Sequence, residues 1–384
     1  MQLKALDLFA GCGGLSLGLE DAGIDVILAN EVDAWAADTY AHNHPDTHLL
    51  RGDVRNIVRG DLRALRGEID LVAGGPPCQG FSVAGRRQFG EVPFQNTLVE
   101  AYLNVVEEVR PLMVLMENVA GFRTAQLRPG VRALPFTFER LKNLGYEPAL
   151  LTLQATNYGV PSLRSRIFVV AMLGSWTDDP TPVPTFGVGA ANKPRSCLEA
   201  ISDLPALEAG QGAEGLQPYT SLPFSAYQSS MRAGSTGVTN HVAMSHTTRI
   251  VRRFQTIPPG SSSYRSTEGV TVYKSNNQRL IGDIPSLCIT ANFQSNYIHP
   301  VQNRNLTARE AARLMTFPDR YLFKGKRTLM SKKLLDKEGR SDEANLSQYN
   351  QIGNSVPPLL ARALGEKLIA IATAGQKRPV LVAR

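Results

Sequence analysis

"DLFAGCGGLSLGLE", residues 7–20, places an apolar run ahead of three glycines, Gly11, Gly13 and Gly14, and a segment whose apolar residues are spaced like those of a helix. It reads as a buried strand, a tight turn and a helix. Glycine permits such a turn and lets the backbone come close to a ligand, as at the first crossover of a dinucleotide-type fold. Working outward, "LKALDLF" (3–9), "DVILANEV" (25–32), "IDLVAGG" (69–75), "LMVLMENV" (112–119) and "RIFVVAML" (166–173) read as further buried strands. Helical spacing recurs in 15–23 and 96–109. This alternation predicts an α/β fold with a doubly wound, mostly parallel sheet covered on both faces.

Glu31 ends the second strand, 31 − 11 = 20 residues after the first glycine, where a carboxylate accepts from ribose hydroxyls. Asp53, in "GDV", follows the next strand and suits an adenine amino group. Together they describe an adenosine pocket. The turn lacks both G-x-G-x-x-G and a phosphate-loop Gly-Lys-Ser/Thr, so spacing favours S-adenosylmethionine but leaves a nicotinamide cofactor open. A helix that needs glycine only for close packing is the plain structural alternative.

The 384 residues suffice for one large domain with an insertion, or for two domains. Cys12, Cys78, Cys197 and Cys288 are far apart, so neither a disulfide framework nor a metal site is indicated. A reducing cytoplasm fits best. The N-terminal run ending at Cys12 reads as a strand rather than a lipoprotein signal, and no stretch has the uninterrupted apolar length of a membrane span. Charge is uneven: residues 1–180 hold 16 Lys+Arg and 21 Asp+Glu, residues 181–384 hold 25 and 13. The basic second half suits a polyanion, although a merely solvated surface would also carry it.

From about 174 to 303 the composition turns to Pro, Gly, Ser, Thr and Asn, with little periodicity. Helical patterns return at 306–317 and 357–375, separated by a polar, basic stretch, 324–348, expected to be an exposed insertion. The expected division is therefore a cofactor-binding catalytic part, 1–182, a recognition part, 183–303, and a return to the catalytic part, 304–384.

The chemistry points to "GGPPCQGFS", 74–82. Cys78 follows a strand at its carboxyl edge, where ligands bind in open α/β folds, and Pro76 and Pro77 stiffen its approach. Glu117 ends the neighbouring strand at the same edge. Arg164 and Arg166 enter another strand at alternating positions and can face one side. A thiol, a carboxylate and two guanidinium groups thus converge on one edge. Singly, each has a bland reading as a strand end or an ordinary salt bridge.

In order along nearly the whole chain, "DLFAGCGGLS", "NEVD", "GDV", "GGPPCQGFS", "ENV", "RSR", "RNLTAREAARLMTFPDRY" (304–321) and "QIGNSVPP" (351–358) resemble the DNA (cytosine-5) methyltransferases, especially bacterial modification enzymes. The resemblance implies S-adenosylmethionine as cofactor and S-adenosylhomocysteine as product. It implies that Cys78 is the nucleophile, Glu117 its carboxyl partner at the base, and Arg166 a cytosine-binding arginine with Arg164 beside it. Phe9, Gly11, Gly13, Gly14, Glu31, Asp53, Asn354 and Ser355 would line the cofactor pocket, and 183–303 would be the target recognition domain. Two departures stand out: Gln95 replaces a family arginine in "VPFQNT", and Pro161-Ser162 stands where the family has Pro-Gln.

Such an enzyme adds a thiolate to carbon 6 so that carbon 5 becomes nucleophilic, and it must flip the cytosine out of the duplex. A free cysteine has a pKa near ~8.5, so the neighbouring arginines would enrich its thiolate form. Arg86 and Arg87, on a loop able to close over the flipped base, and Arg249, Arg252 and Arg253 in the recognition part, are candidate DNA contacts. The expected partner is double-stranded DNA, with a cognate restriction endonuclease acting separately, and the expected state is a monomer. An RNA cytosine methyltransferase and a catalytically silent nucleic-acid-binding regulator are the competing readings.

Overall fold

The computed structural model describes residues 2–77, 97–265, 269–273, 276–328, 337 and 345–374. The expected strands form β1 (Lys4–Leu8), β2 (Asp25–Glu31), β3 (His48–Arg51), β4 (Leu71–Gly74) and β5 (Met113–Asn118). A short hairpin, β6 (Gln126–Arg128) with β7 (Val131–Arg132), then precedes β8 (Tyr146–Gln154) and β9 (Ser165–Leu173). The seven-stranded sheet runs β3-β2-β1-β4-β5-β9-β8. Six strands run in one direction, and β9 is antiparallel to both its neighbours, β5 and β8.

Strand order reverses between β1 and β4, so the carboxyl ends of these two strands open a crevice at the switch point. Alternation along the central strands explains why both faces are covered. Ala5 and Leu71 join Leu15 and Leu19 of α1 (Gly14–Asp21) and Leu360, Leu364 and Leu368 of the late helix Pro358–Ala374 in one buried cluster. On the other face Leu6, Leu8, Val72 and Val114 pack with Val99, Tyr102 and Val106 of α4 (Thr97–Val109). The last 17-residue helix thus completes a core that begins at Leu3.

Sequence periodicity did not single out β8 or α5 (Ala133–Asn143), the pair that extends the sheet beyond β9. β8 is an edge strand with partly buried positions at its centre, which blurs the pattern that marks a central strand. Among the described residues, the stretch 176–303 contains only short helices, among them α6 (Cys197–Ile201), α7 (Ala226–Arg232) and α8 (Thr248–Gln255), and paired strands of two or three residues.

What substitutes for long elements there is a lattice of buried charge. Arg304 donates to Glu310 through both Nη atoms at 2.9 and 2.6 Å. Arg313 reaches Asp319 at 2.6 Å and Asp203 at 3.1 Å, and Asp203 also takes Arg232 at 2.6 Å. Arg304, Arg313 and Asp203 are fully buried, and bidentate pairing makes such burial tolerable. Glu310 sits on α9 (Ala308–Leu314) in a capping box with Thr307, the Thr-x-x-Glu signal visible in "TARE".

The stretch 324–348, expected to be an exposed insertion, is anchored at its described C-terminal end. Leu346 N donates to Asp33 Oδ2 at 2.7 Å, Ser347 caps the helix Gln348–Asn354, and Ser347 and Gln348 are buried. Capping and the Asp33 contact draw residues 346–348 inward.

Candidate active site

β1 delivers the chain to the crevice, where Phe9 adopts φ 57° and Gly11 φ 58°. A left-handed Phe is strained, and such strain concentrates at ligand-facing turns. Glu31, at the end of β2, fixes the turn. Its Oε2 accepts from Gly11 N at 2.7 Å, and its Oε1 accepts from Val32 N at 2.9 Å and Asp33 N at 2.7 Å. Burial raises the Glu31 carboxyl above its ordinary pKa, against the pull of these N–H groups. Oε2 keeps a lone pair free of these bonds, fit for a hydroxyl donor.

The three glycines do different work. A Cβ on Gly11 would meet nothing within 4 Å, so this position faces open space. One on Gly13 would overlap His44 and Tyr321, and one on Gly14 would overlap the Val356 carbonyl and Phe317. Gly14 is thus needed for packing, the alternative the sequence left open, while no packing contact requires glycine at Gly11. Tyr321 also donates to the Cys12 carbonyl, and His44 joins it at 2.9 Å. Burial pushes the Cys12 thiol up to about 12, which keeps it inert.

Asp53 caps the turn Val54–Asn56 beyond β3, and Arg55 grips its carboxylate. That hydrogen bond is the main reason its pKa is lowered. Asn354 is exposed and Ser355 half-buried at the end of the helix Gln348–Asn354. One neighbour escaped the sequence reading. Asp7 is fully buried, with Oδ2 accepting from Ser16 at 2.6 Å and Oδ1 lacking any partner. Burial pushes its pKa up to about 7.

At the other side of the crevice, β5 and β9 set Glu117 and Arg166 together. Glu117 lies opposite Phe168 in the antiparallel register, so Arg166, two residues away, projects from the same face. Arg166 Nε stands 2.8 Å from Glu117 Oε1, as a close ion pair whose N–H is not aimed at the oxygen. Both side chains are about seven-eighths buried, at 14 and 13% exposure. Gly75, just beyond β4, approaches this pair: a Cβ there would lie 3.1 Å from Glu117 Oε2. Asn118 Nδ2 donates to the Pro76 carbonyl at 3.1 Å. The chain therefore leaves β4 pinned against Glu117 and Asn118 up to Pro77. Cys78, Arg86, Arg87 and Gln95 lie outside the described residues.

Arg164, expected beside Arg166, is spent differently because it precedes β9 and turns inward. It is fully buried, with Nη1 donating to the carbonyls of Ile289 at 2.8 Å and Gly353 at 3.0 Å and Nη2 to that of Ser355 at 2.8 Å. Ile289 belongs to a strap that the sequence did not signal. Ser286 N donates to Pro161 O at 3.0 Å, Leu163 N to Ser286 O at 2.8 Å, and Ser162 Oγ to Leu287 O at 3.1 Å. The serine at 162 thus supplies a backbone contact of its own.

On α8, Arg249 and Arg252 are exposed, three residues apart on one face. Arg253 is half-buried, with its guanidinium 5.9 Å from the centre of the Tyr264 ring and 5.5 Å from that of Phe254. Such contacts are those of a strut as much as of a DNA ligand.

A family profile described as C-5 cytosine-specific DNA methylase matches residues 3–370. The Type II methyltransferase M.DdeI of Desulfomicrobium norvegicum is 40% identical over 379 residues, covering 95% of this chain and 88% of that protein. M1.HphI of Haemophilus parahaemolyticus is 32% identical, covering 97% of this chain and 88% of its own length. Among solved structures, S. pombe Dnmt2 methyltransferase shares the fold with a TM-score of 0.59 at 18% identity, over 97% of this chain and 99% of that one. The similarity spans the glycine turn, the Glu117–Arg166 edge and the late helices alike, and this chain belongs to the C-5 cytosine-specific DNA methylases, enzymes that methylate cytosine in DNA.

Proposed function

We propose that this protein transfers a methyl group from S-adenosylmethionine to carbon 5 of a cytosine flipped out of a specific duplex DNA sequence, through a transient bond between Cys78 and carbon 6. The observation that carries the reading is the Glu117–Arg166 pair, against which the chain leading into Cys78 is pinned by Gly75 and Pro76. Cys78 follows Pro77 directly in sequence.

The residues of the turn suit the cofactor. Glu31 Oε2 would accept from a ribose hydroxyl, Gly11 leaves the room, Asp53 would take the adenine amine on a remaining lone pair, Ser355 lies beside Gly14 of the turn, and Phe9 and Asn354 are further candidate contacts. When bound, S-adenosylmethionine supplies an electrophilic methyl group on a sulfonium. The protein's own residues do the rest. Cys78 thiolate adds to carbon 6, and the ring electrons move toward N3 and carbon 5. The Glu117 carboxyl relieves charge at N3 and accepts from the exocyclic amine, which thymine lacks, while Arg166 donates to O2. Once carbon 5 carries the methyl group, a water molecule takes its proton, the freed electron pair re-forms the 5,6 double bond, and the bond from carbon 6 to sulfur breaks to release Cys78 as thiolate.

Extrusion of the base costs a few kcal/mol, which contacts from 183–303 would offset as the recognition part, with Arg249, Arg252 and Arg253 and the loop arginines Arg86 and Arg87 as candidates. The Type II names of the relatives above support a modification role paired with a separate endonuclease; a monomer working in the bacterial cytoplasm completes the reading.

Incubation with labelled S-adenosylmethionine and mixed-sequence duplex DNA, followed by sequencing for 5-methylcytosine, tests both activity and site. Duplexes carrying 5-fluorocytosine at that site should trap the native protein covalently and Cys78→Ser not at all. Methylation that persists in Cys78→Ser, or a strong preference for RNA in parallel assays, would overturn the reading.

A further inference from the structure

Arg164 is a buried cation held by three carbonyls from two distant segments of the chain. Gly353 O and Ser355 O flank Asn354 at the proposed cofactor edge, and Ile289 O lies on the 286–291 strap. Glu117 lies within electrostatic reach, and the Cys288 thiol sits against the guanidinium itself. The segments meet closely. A Cβ on Gly353 would overlap the Thr290 backbone, and Asn350 Nδ2 donates to Ala291 O at 2.9 Å.

From this geometry we infer that Arg164 is a positioning residue, a clasp that transmits occupancy of the cofactor edge to the 286–291 strap leading out of the recognition part. It rests on the cofactor reading above. A guanidinium is a rigid planar fork, so its Nη1, shared between Ile289 O and Gly353 O, cannot follow one carbonyl without drawing on the other. Desolvation and the nearby Arg166 draw the Arg164 pKa down to about 9, the mark of a cation deep in the protein that an apolar strut could have replaced at less cost. A ligand that restrains the Gly353–Ser355 backbone would pre-pay part of the ordering of the strap. The coupling is reciprocal, so a restrained strap would favour the cofactor equally.

Cys288, half-buried on the strap and one residue from Ile289, is a built-in reporter. The test is alkylation of Cys288 with iodoacetamide, followed by peptide mass spectrometry, with and without S-adenosylhomocysteine. Binding of that ligand is measured separately by calorimetry. Because the thiol sits against the Arg164 guanidinium, Cys288 reactivity in each variant is compared with and without ligand rather than between variants. In the native protein the ligand should slow Cys288 alkylation about tenfold, within the usual range of coupling between sites. Arg164→Lys keeps the charge but loses the fork. It should still bind the ligand, with protection reduced to about twofold or less and kcat falling more than the KM for cofactor. Asn350→Ala, which frees the Ala291 carbonyl on the same strap, should lose part of the protection and secures the test if Arg164→Lys does not fold.

Protection in Arg164→Lys equal to that of the native protein would overturn the inference alone, because it would mean that the ligand covers Cys288 directly. Native protein that binds the ligand without protecting Cys288 would do the same. Failure of the native protein to bind S-adenosylhomocysteine would overturn the cofactor reading and this inference with it.

Discussion

Glu117 Oε1 and Arg166 Nε stand 2.8 Å apart on adjacent antiparallel strands, each nearly nine-tenths buried, at the edge where the chain leads to Cys78. Each orients the other, and removal of one leaves a charge with little water to compensate it. Glu117→Gln and Arg166→Gln are each expected to lower single-turnover methylation about 10²-fold or more, with a smaller change in DNA affinity. Rapid-quench assays at saturating DNA separate the two. A loss confined to KM would place the pair in binding alone.

Asp7 predicts a pH dependence of stability. Its pKa of about 7 in the fold exceeds the ordinary 3.8, so the folded protein binds the proton more tightly than the unfolded chain. Its contribution is fullest below about pH 4, falls as pH rises to about 7 and levels off above. Asp7→Asn keeps an acceptor for Ser16 and should abolish this slope, making the variant more stable than the native protein at pH 8 by about 1–3 kcal/mol. Denaturant unfolding at pH 5, 6, 7 and 8 measures it.

Glu310 behaves in the opposite sense. Burial alone would raise its pKa, but Arg304, through charge and hydrogen bonds, and His299 hold it well below the carboxylate range. Its contribution is present above about pH 4.5 and lost as pH falls further. Glu310→Gln strands Arg304 in the interior, with an expected loss of about 3–5 kcal/mol at neutral pH. Equilibrium unfolding checks the magnitude, and a loss below 1 kcal/mol would show that Arg304 finds other partners.

The glycine turn separates ligand room from packing. Gly11→Ala places its methyl group in open space at φ 58° and should fold with a loss of about 1 kcal/mol while weakening cofactor binding strongly. Gly14→Ala collides with Val356 O and Phe317 and should reduce stability several-fold more in energy. Calorimetric binding and thermal melting on the two variants distinguish these effects.

Arg249 and Arg252 should behave unlike Arg253. Alanine at either exposed position is expected to reduce the slope of log affinity against log salt by about one. Arg253→Ala should act chiefly on the packing around Phe254 and Tyr264 and lower the melting temperature. A full salt-slope change in Arg253→Ala with unchanged melting would reverse the assignment.

Short-range pattern determined much of this protein. Alternating apolar runs and a glycine turn specify β1, α1 and β2, because strand and helix periods are local properties of the chain. The same local periods place Glu31 at the end of β2 and Glu117 near the end of β5. Tertiary structure decided what the side chains do there. Arg164 and Arg166 are alike in sequence, yet one is consumed by Ile289, Gly353 and Ser355 and the other meets Glu117. Gly11 and Gly14 are alike as turn residues, yet only the first faces space. The 286–291 strap had no local signature at all, and nothing local marked Asp7 as a buried carboxylate with one oxygen, Oδ1, left without a partner. The strap's partners lie far along the chain, 125 residues away for Arg164 and Ile289, and only folding determines which acceptors a buried donor finds.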